Sequence, residues 1–202
     1  FLKKIIKYYN DISFKGVLLI LDSSTDETYK IQKEFLKNFT SLNIDHYYSE
    51  YTPVLAAKEH ANRINTSYVT LIGDDDYYII NGIDISISFL NRNHLIDSVR
   101  GKSFLIELNI NSKNNIKNIY NYDCNEYIER DSLKRVIKFF NHPRAVTANV
   151  WRSNVFIKLL NEFISHKDIH LCPDRYFYDE LLFTSMLVAN SKIKNIPGNL
   201  FV

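Results

Sequence analysis

The chain has 202 residues, long enough to bury a core of ordinary size. Apolar residues make up 46% and charged residues 24%, a globular balance, and no apolar run approaches the ~20 residues of a membrane span. A formal net charge of +2 gives no basis for a nucleic-acid or polyanionic partner.

Cys124 and Cys172 have no zinc or redox spacing, and no signal peptide is expected. Both fit a cytoplasmic, reducing compartment and leave membrane association open. The chain opens inside a helical pattern and stops after "NLFV", so it reads as a fragment that lacks an element at each end.

In "FLKKIIKYYN", Leu2, Ile5, Ile6 and Tyr9 form the stripe of an amphipathic helix. The run Val17 to Leu21 predicts a strand buried on both faces, as in a parallel sheet. Ser24 and Glu27 form a capping-box pattern for a helix reaching about Phe39, with Ile31, Phe35 and Phe39 inward. "NIDHYYS" alternates weakly as a further strand. Pro53 suits the first turn of a helix that turns Val54, Ala57, Ala61 and Ile64 to one face. "SYVTLI" predicts the next buried strand, and it runs into "GDDD". This alternation implies helices flanking a mostly parallel sheet, whose ligands bind beyond the carboxyl ends of the strands.

The second half is less regular and mixed. "SFLIELNI" is a strand, and the Asn-rich stretch over 111–125 is a loop or weak hairpin. "DSLKRVIKFF" is a helix capped by Asp131, with Leu133, Val136, Ile137 and Phe140 in phase. "AVTANVW" is a strand and "NVFIKLLNEFI" a helix. "DRYFYDELLFTSMLVAN" is a helix with an acidic pair in its first half, and "KIKNI" is a last strand or edge. No repeat or linker divides the chain, so one domain is expected.

Asp74, Asp75 and Asp76 stand side by side at a strand end. Neighbouring carboxylates raise one another's pKa unless a cation neutralises them. Such oxygen ligands suit Mg²⁺ or Mn²⁺ with substrate phosphates completing the shell. Asp22, with Ser23, lies on the same expected rim, where a carboxylate can accept hydrogen bonds from a base or ribose. Asp179 and Glu180 are neighbours on a helix and cannot face one direction, so one of them can serve as a base while the other is solvated. His46, His60, His94, His142, His166 and His170 show no metal-ligand spacing, and the segment holding His166 and His170 reads as a loop leading to Pro173.

These clusters, in this order, resemble family 2 type glycosyltransferases of the GT-A fold over most of the chain. "LILDSSTDET" is similar to the family's "VDDGSTDGT" turn, and "NRINTSYVTLIGDDDYYIINGI" to the segment carrying its metal-binding DxD motif. "FYDELLF" sits where the family has "E-D-x-x-L", and "VWRSNVFIKLL" resembles an aromatic-Arg segment near the acceptor side. The family's leading strand, "VIPTYNR", has no counterpart before "FLKKIIKYYN", which resembles the helix after it.

The resemblance implies a single GT-A-like, Rossmann-like domain, with a nucleotide-binding half over 1–90 and an acceptor-binding half over 91–202. It also implies sugar transfer from a nucleotide-sugar donor to a glycan, lipid-linked or protein acceptor hydroxyl, with inversion. Mg²⁺ or Mn²⁺ would be held by Asp74 and Asp76, with Asp75 the alternative ligand, because the family's leading acid falls on Gly73 here. Asp22, Ser23, Asp74 and Asp75 would contact the nucleotide, and Trp151 and Arg152 the acceptor. The base would be Asp179 or Glu180; Asp179 is favoured because it places Leu182 at the apolar position of the motif. A sugar-nucleotide nucleotidyltransferase and a non-catalytic nucleotide- or glycan-binding module are the alternatives.

Overall fold

The structure is a computed structural model that describes residues 1–109, 116–164 and 175–201. Helix α1 (Leu2–Asp11) buries Ile5, Ile6 and Tyr9, the stripe its sequence predicts. Strand β1 (Val17–Asp22) crosses over through α2 (Asp26–Leu36) to β2 (Asn43–Tyr48) and pairs with it in parallel, from Val17↔Asn43 to Asp22↔Tyr48. The cap of α2 is Thr25, whose Oγ1 accepts from the Thr28 amide at 3.4 Å. It is not Ser24, whose amide donates to Asp22 Oδ1 at 2.9 Å. Leu36 is the buried residue of α2, and Ile31 is exposed, contrary to its expected inward position.

Helix α3 (Pro53–Glu59) starts on Pro53, whose fixed φ suits a first turn, and continues into a 3₁₀ turn, Ala61–Arg63. Here the sheet departs from the expected parallel plan. Strand β3 is only Tyr68–Val69, and it runs antiparallel to β6 (Val150–Arg152) with Val69 opposite Trp151. After α4 (Ile80–Arg92), the long strand β4 (Ser98–Leu108) is antiparallel to β6 and to β5 (Ile116–Asn121). It is parallel to β7 (Ile193–Phe201). The result is a two-stranded parallel sheet and a separate five-stranded mixed sheet. Alternation of helices and strands predicts parallel neighbours only when consecutive strands pair, and β2 and β3 do not.

The pairing of β4 with β7 shifts register on both sides of Lys102. Gly101 permits this: a Cβ there would sit 2.6 Å from the Gly198 carbonyl oxygen, and Gly198 itself has φ of +111°. The Asn-rich stretch does form a hairpin arm where it is described, with Phe104 opposite Asn121.

Helices α5 (Ser132–Asn141), α6 (Ser153–Glu162) and α7 (Arg175–Asn190) cover the mixed sheet. The main core gathers Trp151, Phe156, Leu160, Phe183 and Leu187. Helix α5 inverts its sequence pattern. Asp131 caps it, accepting from the Leu133 amide at 2.8 Å, but Leu133, Ile137 and Phe140 are 63%, 53% and 56% exposed. Arg135 and Phe139 are buried instead, and Arg135 donates to the Val188 and Ala189 carbonyls at the end of α7. A guanidinium that satisfies orphan helix-end carbonyls outweighs the apolar stripe.

Candidate active site

Strand β1 ends on Asp22, and the segment after β3 ends on the three aspartates. Both ends open on one cavity of about 820 Å³, lined by Asp22, Ser23, Ser24, Gly73, Asp74, Asp76 and Glu180 among others. The expected rim thus forms, although β1 and β3 belong to different sheets.

Asp22 is 8% exposed and accepts from the Ser24 amide at 2.9 Å. His46, on β2, approaches its second oxygen with Nε2 at 2.9 Å. Burial pushes the Asp22 pKa up, but the bonds from Ser24 and His46 outweigh it and the net shift is downward. Asp22 is therefore a fixed anionic acceptor. The Tyr29 ring packs on His46 at 4.5 Å and meets Tyr48 edge-on, giving this corner an aromatic wall. His46 is not legible in the sequence as a site residue, because its partner lies 24 positions earlier on a neighbouring strand.

Two tyrosines hold the aspartate turn in place. Tyr78 is buried; its carbonyl accepts from the Tyr8 hydroxyl at 2.7 Å, and its own hydroxyl donates to the Ala148 carbonyl at 2.7 Å. The Tyr77 ring meets Tyr8 edge-to-face at 5.4 Å. Tyr77 and Tyr78 thereby pin the turn to α1 and to the loop before β6.

Asp74 and Asp76 face the cavity, whereas Asp75 is not among its lining residues. A Cβ on Gly73 would lie 2.7 Å from Asp75 Oδ1, so the carboxylate of Asp75 folds back over the glycine. The position where the resemblance expects an acid is thus the space that the Asp75 carboxylate occupies. Asp76 is half-buried, and its pKa is pushed up to about 6 by desolvation, then by the Asp75 and Glu180 charges, with Arg100 pulling the other way. Two cavity-facing carboxylates, one of them raised by crowded negative charge, fit a divalent cation that takes its remaining ligands from phosphate and water. Among the described residues no cluster of three or more His, Cys, Asp or Glu side chains could hold a metal alone.

The acidic pair of α7 divides as helix geometry requires. Glu180 lines the cavity and stays accessible, with its pKa raised by desolvation. Asp179 is fully buried off the cavity and accepts a hydrogen bond from the Thr52 hydroxyl. Thr52 stands at the cap position of α3, yet its side chain makes no cap bond; the hydroxyl ties α3 to α7 instead. Of the two acids expected to supply the base, the structure turns Glu180, and not the favoured Asp179, toward the cavity. Leu182, on which that preference rested, is 44% exposed.

Trp151 and Arg152 also lie away from the cavity. Trp151 is fully buried and donates its indole N–H to the Val146 carbonyl at 2.9 Å. Arg152 donates to the carbonyls of Leu90, Asn93 and Ile96, at the end of α4 and just beyond it. An aromatic-Arg pair at the start of a helix reads alike in sequence whether it faces a ligand or the core. His166, His170 and Cys172 lie outside the described residues. Among the described residues no helix is long and apolar enough to cross a membrane.

No protein-family model matches the sequence, and no curated protein matches it. Solved structures do. Staphylococcus aureus TarS, residues 1–349 in complex with UDP, superposes with a TM-score of 0.60 at 15% identity, covering 98% of this chain and 56% of that one. A longer TarS structure gives 0.59 at 15% identity over 98% of this chain and 34% of that one. HddC from Yersinia pseudotuberculosis gives 0.53 at 14% identity over 100% of this chain and 78% of that one. The chain thus spans about half the length of the shorter TarS structure, and what it shares with these proteins is the fold.

Proposed function

We propose that the chain carries the donor site of a metal-dependent, inverting glycosyltransferase of the family 2 type. The observation that carries this reading is the convergence of Asp22, Asp74, Asp76 and Glu180 on one strand-end cavity. The UDP bound in the TarS structure supports a nucleoside diphosphate as the leaving group. Asp22, held anionic by Ser24 and His46, receives the base or ribose. Asp74 and Asp76 hold Mg²⁺ or Mn²⁺, which supplies countercharge for the departing diphosphate.

Glu180 serves as the general base. Desolvation raises its pKa, which strengthens it as a proton acceptor near neutral pH. The acceptor hydroxyl oxygen attacks the anomeric carbon as the carbon–oxygen bond to the diphosphate breaks. The hydroxyl proton passes to the Glu180 carboxylate. Asp179 has a supporting role in this scheme, locking α7 to α3 so that Glu180 faces the cavity. The partners are a nucleotide-sugar donor and a glycan, lipid-linked or protein acceptor.

Titration of UDP by calorimetry with and without Mn²⁺, followed by product analysis with nucleotide sugars, tests the reading. Glu180→Gln is expected to lower transfer at least about 100-fold with UDP affinity unchanged. Asp76→Asn is expected to remove the Mn²⁺ dependence of binding. Retained transfer in Glu180→Gln overturns the base. Release of pyrophosphate in place of nucleoside diphosphate identifies a nucleotidyltransferase, and binding without turnover identifies a binding module.

A further inference from the structure

Helix α5 carries its apolar stripe on the side away from the core. Leu133, Ile137 and Phe140 fall at i, i+4 and i+7, so they form one ridge, and each is more than half exposed. The opposite face, with Arg135 and Phe139, holds the helix to the protein. The helix cannot roll to bury the ridge instead. The Arg135 guanidinium is committed to the carbonyls of Glu129, Arg130, Val188 and Ala189, and rolling would break all of these bonds.

The ridge is an unfavourable contact with water unless something apolar covers it. It offers on the order of 300 Å² of apolar surface, the size at which a patch on a monomer is often functional. A stable protein–protein contact takes about 800 Å² from each partner. A helix ridge is also convex, so it gives a protein segment no groove to enter.

The free charges beside the ridge have one sign. Arg130 and Lys134 are exposed and make no ion pair among the described residues. The two acids of this stretch are engaged: Glu129 with Lys138 at 2.7 Å, and Asp131 with the Leu133 amide at 2.8 Å. Two copies meeting through this face would bring like cations together, whereas an anionic surface is attracted to them. At ten residues α5 is about 15 Å long, too short to span a bilayer and long enough to lie flat in its headgroup layer.

We infer that α5 is a membrane-docking helix, which inserts Leu133, Ile137 and Phe140 into an anionic lipid surface while Arg130 and Lys134 meet the lipid phosphates. The cavity lies close by. Ala145, which lines it, follows Asn141 at the end of α5 after a stretch of at most about 14 Å. Docking through α5 therefore holds the cavity near the bilayer surface.

Cosedimentation with phosphatidylcholine vesicles, with and without about one-third phosphatidylglycerol, reads the docking. No nucleotide or metal is added, so the readout is independent of sugar transfer. The parent chain is expected to bind the anionic vesicles and to bind the neutral ones at least about tenfold more weakly. Ile137→Ser combined with Phe140→Ser is expected to lower binding to the anionic vesicles at least about 50-fold. Lys134→Glu is expected to lower it about tenfold. Ile31→Ser, which removes an equally exposed side chain from α2, is expected to change nothing. These variants replace exposed side chains, so their thermal midpoints are expected to stay within about 2 °C of the parent. Leu133→Asn repeats the test from the first turn of α5 if the double variant loses its fold. A parent that binds neither vesicle, or both equally, overturns the proposal, and so does unchanged binding by the double variant. Loss of binding in Ile31→Ser overturns it as nonspecific adhesion. Sedimentation equilibrium that finds the parent dimeric and the double variant monomeric overturns it by assigning the ridge to a second copy.

Discussion

Asp76 couples the site to stability. Its folded pKa of about 6 exceeds the ordinary 3.8, so between those values the folded state holds a proton that the unfolded state has released. Its contribution is therefore neutral below about pH 4 and increasingly unfavourable as pH rises to about 6, then levels off. In metal-free buffer, Asp76→Asn is expected to raise the thermal midpoint by about 5 °C at pH 7.5 and by nothing measurable at pH 4. Equal midpoints at pH 7.5 would remove the crowded-charge account. Asp179 acts through its hydrogen bond instead. Removing the Thr52 hydroxyl leaves a buried carboxylate short of a donor, so Thr52→Val is expected to cost on the order of 2 kcal/mol in urea unfolding. The matching exposed-acid change, Glu180→Gln, is expected to stay within about 0.5 kcal/mol. The reverse ordering would assign the buried role to the wrong acid.

Between elements, two arginines stop helices. Arg135 serves the end of α7 by donating to the Val188 and Ala189 carbonyls, and Arg152 serves the end of α4 by donating to the Leu90 and Asn93 carbonyls, which also accept from the Asn93 and Ile96 amides. Arg152→Ala is expected to destabilise the fold by about 2–3 kcal/mol, with UDP affinity unchanged once the protein is folded. A selective loss of acceptor affinity without destabilisation would instead return Arg152 to a ligand-facing role. These contacts explain where periodicity misleads. The stripe of Leu133, Ile137 and Phe140 is in phase, but phase identifies an apolar face without saying which face the neighbours offer to receive. Helix α7 presents carbonyls there, and Arg135 answers them. Ile31 of α2 is the same case in a milder form.

For the molecule as a whole, local physics set the inventory of parts. The 3.6-residue stripes place α1, α3, α6 and α7, and the apolar runs place β1 and β4. The adjacent like charges of Asp74 to Asp76 are legible as a site because their repulsion is local and needs a cation or burial to relieve it. Helix geometry likewise says that Asp179 and Glu180 point apart. Pairing is a different matter. Whether β3 lies beside β1 or beside β6, and whether Trp151 faces a ligand or the core, depends on surfaces far away in the chain. Those contacts carry no local signal, because each partner's pattern is equally satisfied by several neighbours. The same holds for Asp22 with His46 and for Thr52 with Asp179, pairs joined only once the strands and helices have docked. Residue type and spacing announce that acids stand at strand ends; only docking decides that Glu180 turns into the cavity and Asp179 away from it, since the Asp179 side of α7 meets α3 and the Glu180 side opens on the cavity.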